Sequence, residues 1–159
     1  MANDDGLIAK LEQWMADTLA ALQSDGADVF KTAEVWKHQV AVGGSGSESF
    51  TSHQPFAFVG YLAADAAREG DNDLREVLEF GVLIGVESKH PGVARIGDAN
   101  NLGISKIRDL VIAAFDRNHP GGSIECDPFY YTGDIKFVET DKRCAIQMHF
   151  ECSNLNPLN

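Results

Sequence analysis

The chain has 159 residues, one domain by the usual ratio of about 150 residues per domain, and 44% of them are hydrophobic, enough for a globular core. At this length folding removes roughly 70% of the unfolded chain's surface from water, so neither a disulfide nor a structural metal is needed as a staple. Thirteen basic residues against twenty-four acidic ones leave a net charge of -11, which excludes a phosphate-binding surface as the main business of the fold.

The chain opens MANDDGLIAK, with no basic stretch leading into an apolar one, and its longest apolar run, FGVLIGV at 80–86, is short and broken by glycine. Neither a signal peptide nor a membrane span is expected. Residues 7–23 place Ile8, Leu11, Met15, Leu19 and Leu22 at three-to-four spacing, the stripe of an amphipathic helix. Asn3, Asp4 and Asp5 are its cap candidates, and Gly26 lies just past its end. Val29, Phe30, Thr32, Val35, Trp36 and Val40 predict one strand within 29–42.

Residues 43–54, GGSGSESFTSHQ, read as a flexible loop inside one domain. Its glycines lack the Gly-Lys-Ser/Thr ending of a phosphate cradle. Residues 55–67, PFAFVGYLAADAA, are apolar on both alternating faces, as expected of a strand buried front and back, or covered by a helix on one side and by a neighbouring subunit on the other. A charged turn, REGDND at 68–73, leads to a period of two through Leu78, Phe80, Val82, Ile84 and Val86, completing a long antiparallel hairpin.

Residues 89–97 predict a loop, and Asp98 or Asn100 is the expected cap of a second helix bearing Ile107, Leu110, Val111, Ala114 and Phe115 on one face. Asn118, Pro120, Gly121 and Gly122 terminate it. Two closing strands follow, DPFYYTGDIKFVET and RCAIQMHFEC, the second with Cys144, Ile146, Met148, Phe150 and Cys152 on one face. The tail, 153–159, is expected to be loose. Together these elements predict a single α+β domain over 1–159: one mostly antiparallel sheet with two amphipathic helices on one face.

The residues carry little overt chemistry. No histidine lies three to five residues from another histidine, and the nearest approach to a zinc pair, His149 with Cys152, points to opposite faces of one strand, so no metal or other cofactor is expected. Three cysteines make an odd count, which favours a reducing compartment over a secreted framework. Cys144 and Cys152 read as buried small hydrophobes and Cys126 as an exposed turn residue that would need a base such as His119 to act as a nucleophile. Asp65, Glu69, Asp71, Asp73, Glu76 and Glu79 crowd one hairpin turn, more in keeping with a solvated tip than with acid-base work or a hard cation. Trp14 and Trp36 fit either core or interface.

Four features in this order are the helix LIAKLEQWMADTLAAL, the hairpin PFAFVGYLA with LEFGVLIGVES, the late helix ISKIRDLVIAAF and the closing strand AIQMHFEC. In that order and pattern nearly the whole chain resembles the tail terminator proteins of long-tailed bacteriophages, including the minor tail protein U type and the Mu-like prophage relatives. The resemblance implies a non-enzymatic protein of the virion tail's neck end, assembled in the host cytoplasm. It implies a six-membered ring that caps the head-proximal end of the tail tube, stops its growth and presents the surface that joins the head. The implied partners are further copies of the chain, the tail tube protein, a connector or neck protein, and DNA that passes through the bore without specific binding; no membrane partner is implied. No functional residue is transferred by a shared motif.

The expected contacts follow from the residues instead. The charged tip (Arg68, Glu69, Asp71, Asp73, Arg75) and the loop positions Ser45, Ser47 and Phe50 are the candidates for the subunit or tube interface. The ring contact is expected to be heterologous, hairpin of one subunit against sheet or helix of the next. An acidic bore would repel phosphates, and salt or divalent cations would aid ring closure. A neck or tail-completion adaptor shares this build, and a small cytosolic enzyme or ligand-binding module remains as a further alternative.

Overall fold

The computed structural model describes residues 6–37, 53–68, 74–122 and 124–155. In chain order the elements are α1 (Leu7–Ala20), β1 (Gln23–Ser24), β2 (Ala27–Asp28), β3 (Thr32–Val35), β4 (Phe56–Arg68), β5 (Leu74–Glu87), α2 (Val93–Ile96), α3 (Ile104–Phe115), β6 (Tyr130–Glu139) and β7 (Arg143–Leu155). The last five strands form one sheet in the order β3-β4-β5-β7-β6, while β1 and β2 make a short ribbon turned at Asp25 and Gly26. The class is α+β, as the patterning predicts.

Pairing is antiparallel throughout the sheet except at β3, which lies parallel to β4 from Thr32 opposite Phe56 to Val35 opposite Val59. The long hairpin β4–β5 and the closing hairpin β6–β7 join through β5 and β7, whose register runs from Glu87 opposite Arg143 to Arg75 opposite Leu155. Ser153, Asn154 and Leu155 therefore belong to β7 rather than to the loose tail expected from Ser153 onward, and 156–159 lie outside the described residues.

Both long helices lie on one face of the sheet. From α1, Leu11, Met15, Ala16 and Leu19 are buried, and from α3, Ile104, Ile107, Val111 and Phe115. They close over Phe80, Val82 and Ile84 of β5 and Met148, Phe150 and Cys152 of β7 in one continuous core. Trp14 stacks on Phe129 at 5.6 Å and meets Phe115 edge-on at 5.6 Å, so this tryptophan ties α1 to α3 and to the approach to β6. The alternation in β7 holds: Cys144, Met148, Phe150 and Cys152 are buried on the helix face.

The helix ends differ from expectation. Asn3, Asp4 and Asp5 lie outside the described residues, and the residue preceding α1 is Gly6, without a side-chain cap. Helix α1 stops at Ala20, because Gln23 is already paired with Asp28. Neither Asp98 nor Asn100 caps α3, which starts behind Gly103. Asp98 instead closes a local turn, its carboxylate accepting the N–H groups of Asn100 at 2.9 Å and Asn101 at 2.8 Å.

The expected loop over 89–97 contains the single turn α2, anchored where Gly97 (φ 77) and Gly103 press together: a Cβ on Gly103 would lie 2.3 Å from the Gly97 nitrogen. At the far end of α3 the Asn118 amide donates to the carbonyls of Ala113 and Ala114 at 3.1 and 2.8 Å, which ends the helix as the sequence predicts.

Candidate interaction surface

The opposite face of the sheet carries no helix among the described residues, and its centre is nonetheless apolar. Phe56, Phe58, Leu83 and Ala145 form a second, smaller cluster there, with Trp36 and Val138 packed against it. Phe56 and Phe58 alternate with Ala57 and Val59 of the main core, so the two-faced apolar run expected over 55–67 is buried on both sides only at 56–59, and from Tyr61 onward it is exposed. Around this cluster lies a shallow cleft of about 290 Å³ lined by Trp36, Phe58, Leu62, Leu83, Phe137 and Gln147, with Gly60 and Gly81 at its floor. Tyr61, Leu62, Ile135 and Phe137 expose 39%, 41%, 56% and 44% of their surface, an unusual share of large apolar side chains left in water.

Two glycines shape this face. The Phe56 ring lies directly over Gly85, and Leu62 with Gln147 lies over Gly81. Beyond the cleft the surface turns polar: the His149 Nδ1 is 2.7 Å from Glu79 Oε1, and Gln147 Nε2 is 3.2 Å from His149 Nε2. His149 is thus on the open face while Cys152 is on the helix face, as the alternation predicts. Glu79 is drawn away from the hairpin tip, and of the other carboxylates expected to crowd it, Asp65 and Glu76 stand opposite Val77 and Ala66 in the ladder. Among the described residues no three His, Cys, Asp or Glu side chains converge as metal ligands.

The hairpin extends past the body of the domain. Strand β3 covers β4 only as far as Val59; beyond that the backbone N–H of Tyr61 is taken by the Glu12 carboxylate at 3.1 Å. From Tyr61 to Arg68 every residue of β4 is exposed, and its register against β5 shifts between Tyr61 and Ala63. Ala63, Ala64, Ala66 and Ala67 give this arm small side chains on both faces, and among the described residues no strand pairs with its outer edge.

Of the candidate contact residues, Arg68 ends β4 in solvent, and Arg75 begins the return strand with its guanidinium 4.0 Å from Asp127. Glu69, Asp71, Asp73, Ser45, Ser47 and Phe50 lie outside the described residues. Of the apolar residues that do gather, the sequence leaves Trp36 between core and interface and does not mark Leu62 or Phe137 as contacts. Their signal was the strand apolar on both faces.

On the helix side, Arg108 of α3 holds β6 in place. Its Nε donates to Asp134 at 2.6 Å, its Nη2 to the Tyr131 hydroxyl at 2.9 Å, and its guanidinium lies 5.4 Å from the Tyr131 ring centre. Burial raises the Asp134 carboxyl, but hydrogen bonds from Tyr131 and Arg108, with the Arg108 charge, outweigh it and hold the group below the ordinary carboxylate range. Burial and the bond to Asp134 push the Tyr131 phenol up.

No protein-family model matches this chain, and no curated protein matches it. Among the described residues no helix is long and apolar enough to cross a membrane.

Proposed function

We propose that this chain is the subunit of a closed ring that caps a phage tail tube at its head-proximal end, with the open sheet face as its inter-subunit contact. The observation that carries this reading is the exposed apolar rim of that face: Leu62, Ile135 and Phe137 stand in solvent around the buried cluster of Phe56, Phe58 and Leu83, and among the described residues no helix lies over them. A sheet finished on one face and greasy on the other is half of a layered structure, and the missing layer is supplied by association.

The exposed arm of β4 and β5 suits the complementary role. A contact between the arm of one subunit and the open face of the next is heterologous, and heterologous contacts close into rings when the rotation per subunit divides a full turn. The ring size of six and the place at the tube end are taken from the resemblance of the element order to that of the tail terminators. The excess of acidic residues supports a bore that DNA traverses without binding, and the same charge makes assembly dependent on salt or divalent cations. No catalytic role is part of this reading.

The experiment is capping. Purified tail tubes incubated with the protein should stop elongating and carry a ring at one end. A protein that joins heads to finished tails without arresting tube growth is a neck adaptor instead, and this outcome would displace the terminator reading.

A further inference from the structure

We infer that Cys126 and Cys152 form a reversible intramolecular disulfide that staples the segment between α3 and β6 to the end of β7. The chain entering β6 runs beside β7 beyond the last paired residue, Glu151, and the Asp127 N–H donates to the Ser153 carbonyl at 2.9 Å. That bond ties together the residues that follow the two cysteines, and both cysteine side chains turn into the same core, Cys152 within the main cluster and Cys126 packed against it. The pair is asymmetric in access: Cys126 is half-buried at the surface, whereas Cys152 is 1% exposed and packed in the main core. Cys144 is buried near the opposite end of β7 and takes no part.

Asymmetry of this kind suits an attacking and a resolving thiol. The hydrogen bond from Cys152 holds the Cys126 thiol below its ordinary value against the opposing effects of burial and the Asp127 charge, and the same bond together with burial pushes the Cys152 thiol up. Cys126 is therefore the sulfur that meets an oxidant from solvent, and Cys152 is the one kept protonated beside it.

With a small-molecule disulfide such as glutathione disulfide the step balances as follows. The Cys126 thiolate attacks one sulfur, the S–S bond of the oxidant breaks and one glutathione thiolate leaves. Cys152 then loses its proton to that thiolate or to water and attacks the Cys126 sulfur, expelling the second glutathione. Two protein thiols are oxidised to one disulfide while one glutathione disulfide is reduced to two thiols. The closed loop spans β6 and most of β7 and lies on the helix side of the sheet, so the inference does not rest on the ring.

The test is made on the full-length chain, reduced, exposed to glutathione disulfide, quenched by alkylation and weighed by mass spectrometry. Of the three cysteines, only one should remain alkylatable, a linked peptide should join Cys126 to Cys152, and the thermal midpoint should rise by roughly 5–10 °C and fall back with dithiothreitol. Cys126→Ser, a change at the accessible member of the pair, should keep both remaining thiols alkylatable and show no shift. The inference is overturned if all three thiols stay free, if Cys126 ends as a lasting glutathione adduct, if the product is a disulfide-linked dimer, or if Cys126→Ser shows the same shift.

Discussion

The ring of Phe56 occupies the space above Gly85 so closely that a Cβ added there would lie 2.1 Å from Phe56 Cζ. Phe56 is fully buried, and Gly85 is its partner across the β4–β5 ladder, so one glycine sets the depth to which the open face's aromatic cluster sinks. Gly85→Ala must push the ring out or the strands apart, at a cost of about 2 kcal/mol. Gly81→Ala, whose new methyl meets only the movable ends of Gln147 and Leu62 at 3.0 and 3.1 Å, should cost under about 1 kcal/mol. Urea unfolding of the two variants side by side measures the difference, and equal losses would mean that Phe56 yields without penalty.

Trp14 links α1 to both Phe115 and Phe129, with ring centres 5.6 Å apart in each case. Trp14→Ala should therefore cost about 3 kcal/mol of stability, and Trp14→Phe distinctly less. Thermal or chemical unfolding followed by circular dichroism gives both values. A loss below about 1 kcal/mol for Trp14→Ala would show α1 to be held by its leucines alone.

The Arg108–Asp134–Tyr131 group should leave a signature in acid. A carboxyl depressed in the folded state contributes stability that is fully present above its unfolded value, about 3.9 for aspartate, and lost as pH falls through the folded value. The pair is partly exposed, so solvent screening keeps the contribution of Asp134 to about 1 kcal/mol or less. Asp134→Asn should accordingly be less stable than the parent at pH 6, with the gap closing as the pH is lowered below about 4. A gap independent of pH would assign the loss to packing against Tyr131 rather than to charge.

Much of this architecture is legible in the residues, and the failures have physical causes. The three-to-four stripes of α1 and α3 and the strict alternation of β7 survive because each element buries one face against one layer. The parallel pairing of β3 with β4 leaves no such trace: four residues carry no directional signal, and their partner lies more than twenty residues on. Asp98 carries a cap signal yet starts no helix, because an aspartate closes an isolated turn as readily as it starts a helix. In 55–67 the two-faced apolar pattern marks the stretch 56–59 that is buried on both faces, but it carries no sign that the strand runs on into solvent from Tyr61. Sequence could not say that Trp36 and Phe137, from opposite sides of the sheet, line one cleft there, nor that the path into β6 runs Cys126 alongside the end of β7.

The proposed contact face gives a direct pair of variants. Leu62→Asp and Phe137→Asp change side chains that are more than a third exposed, so each should leave the unfolding midpoint of the single chain within the small range typical of surface substitutions. Each should abolish higher-order assembly, because an unpaired carboxylate is then buried in every subunit contact of the ring. If both variants assembled as the parent does, the ring contact would lie elsewhere on the chain.

The most direct measurement is negative-stain microscopy joined to light scattering on the concentrated parent protein, with and without magnesium, and in the presence of purified tail tubes. The account predicts six-fold rings, favoured by magnesium and seated at one end of each tube. A protein that stays a single chain under all of these conditions and leaves the tube ends bare would contradict it.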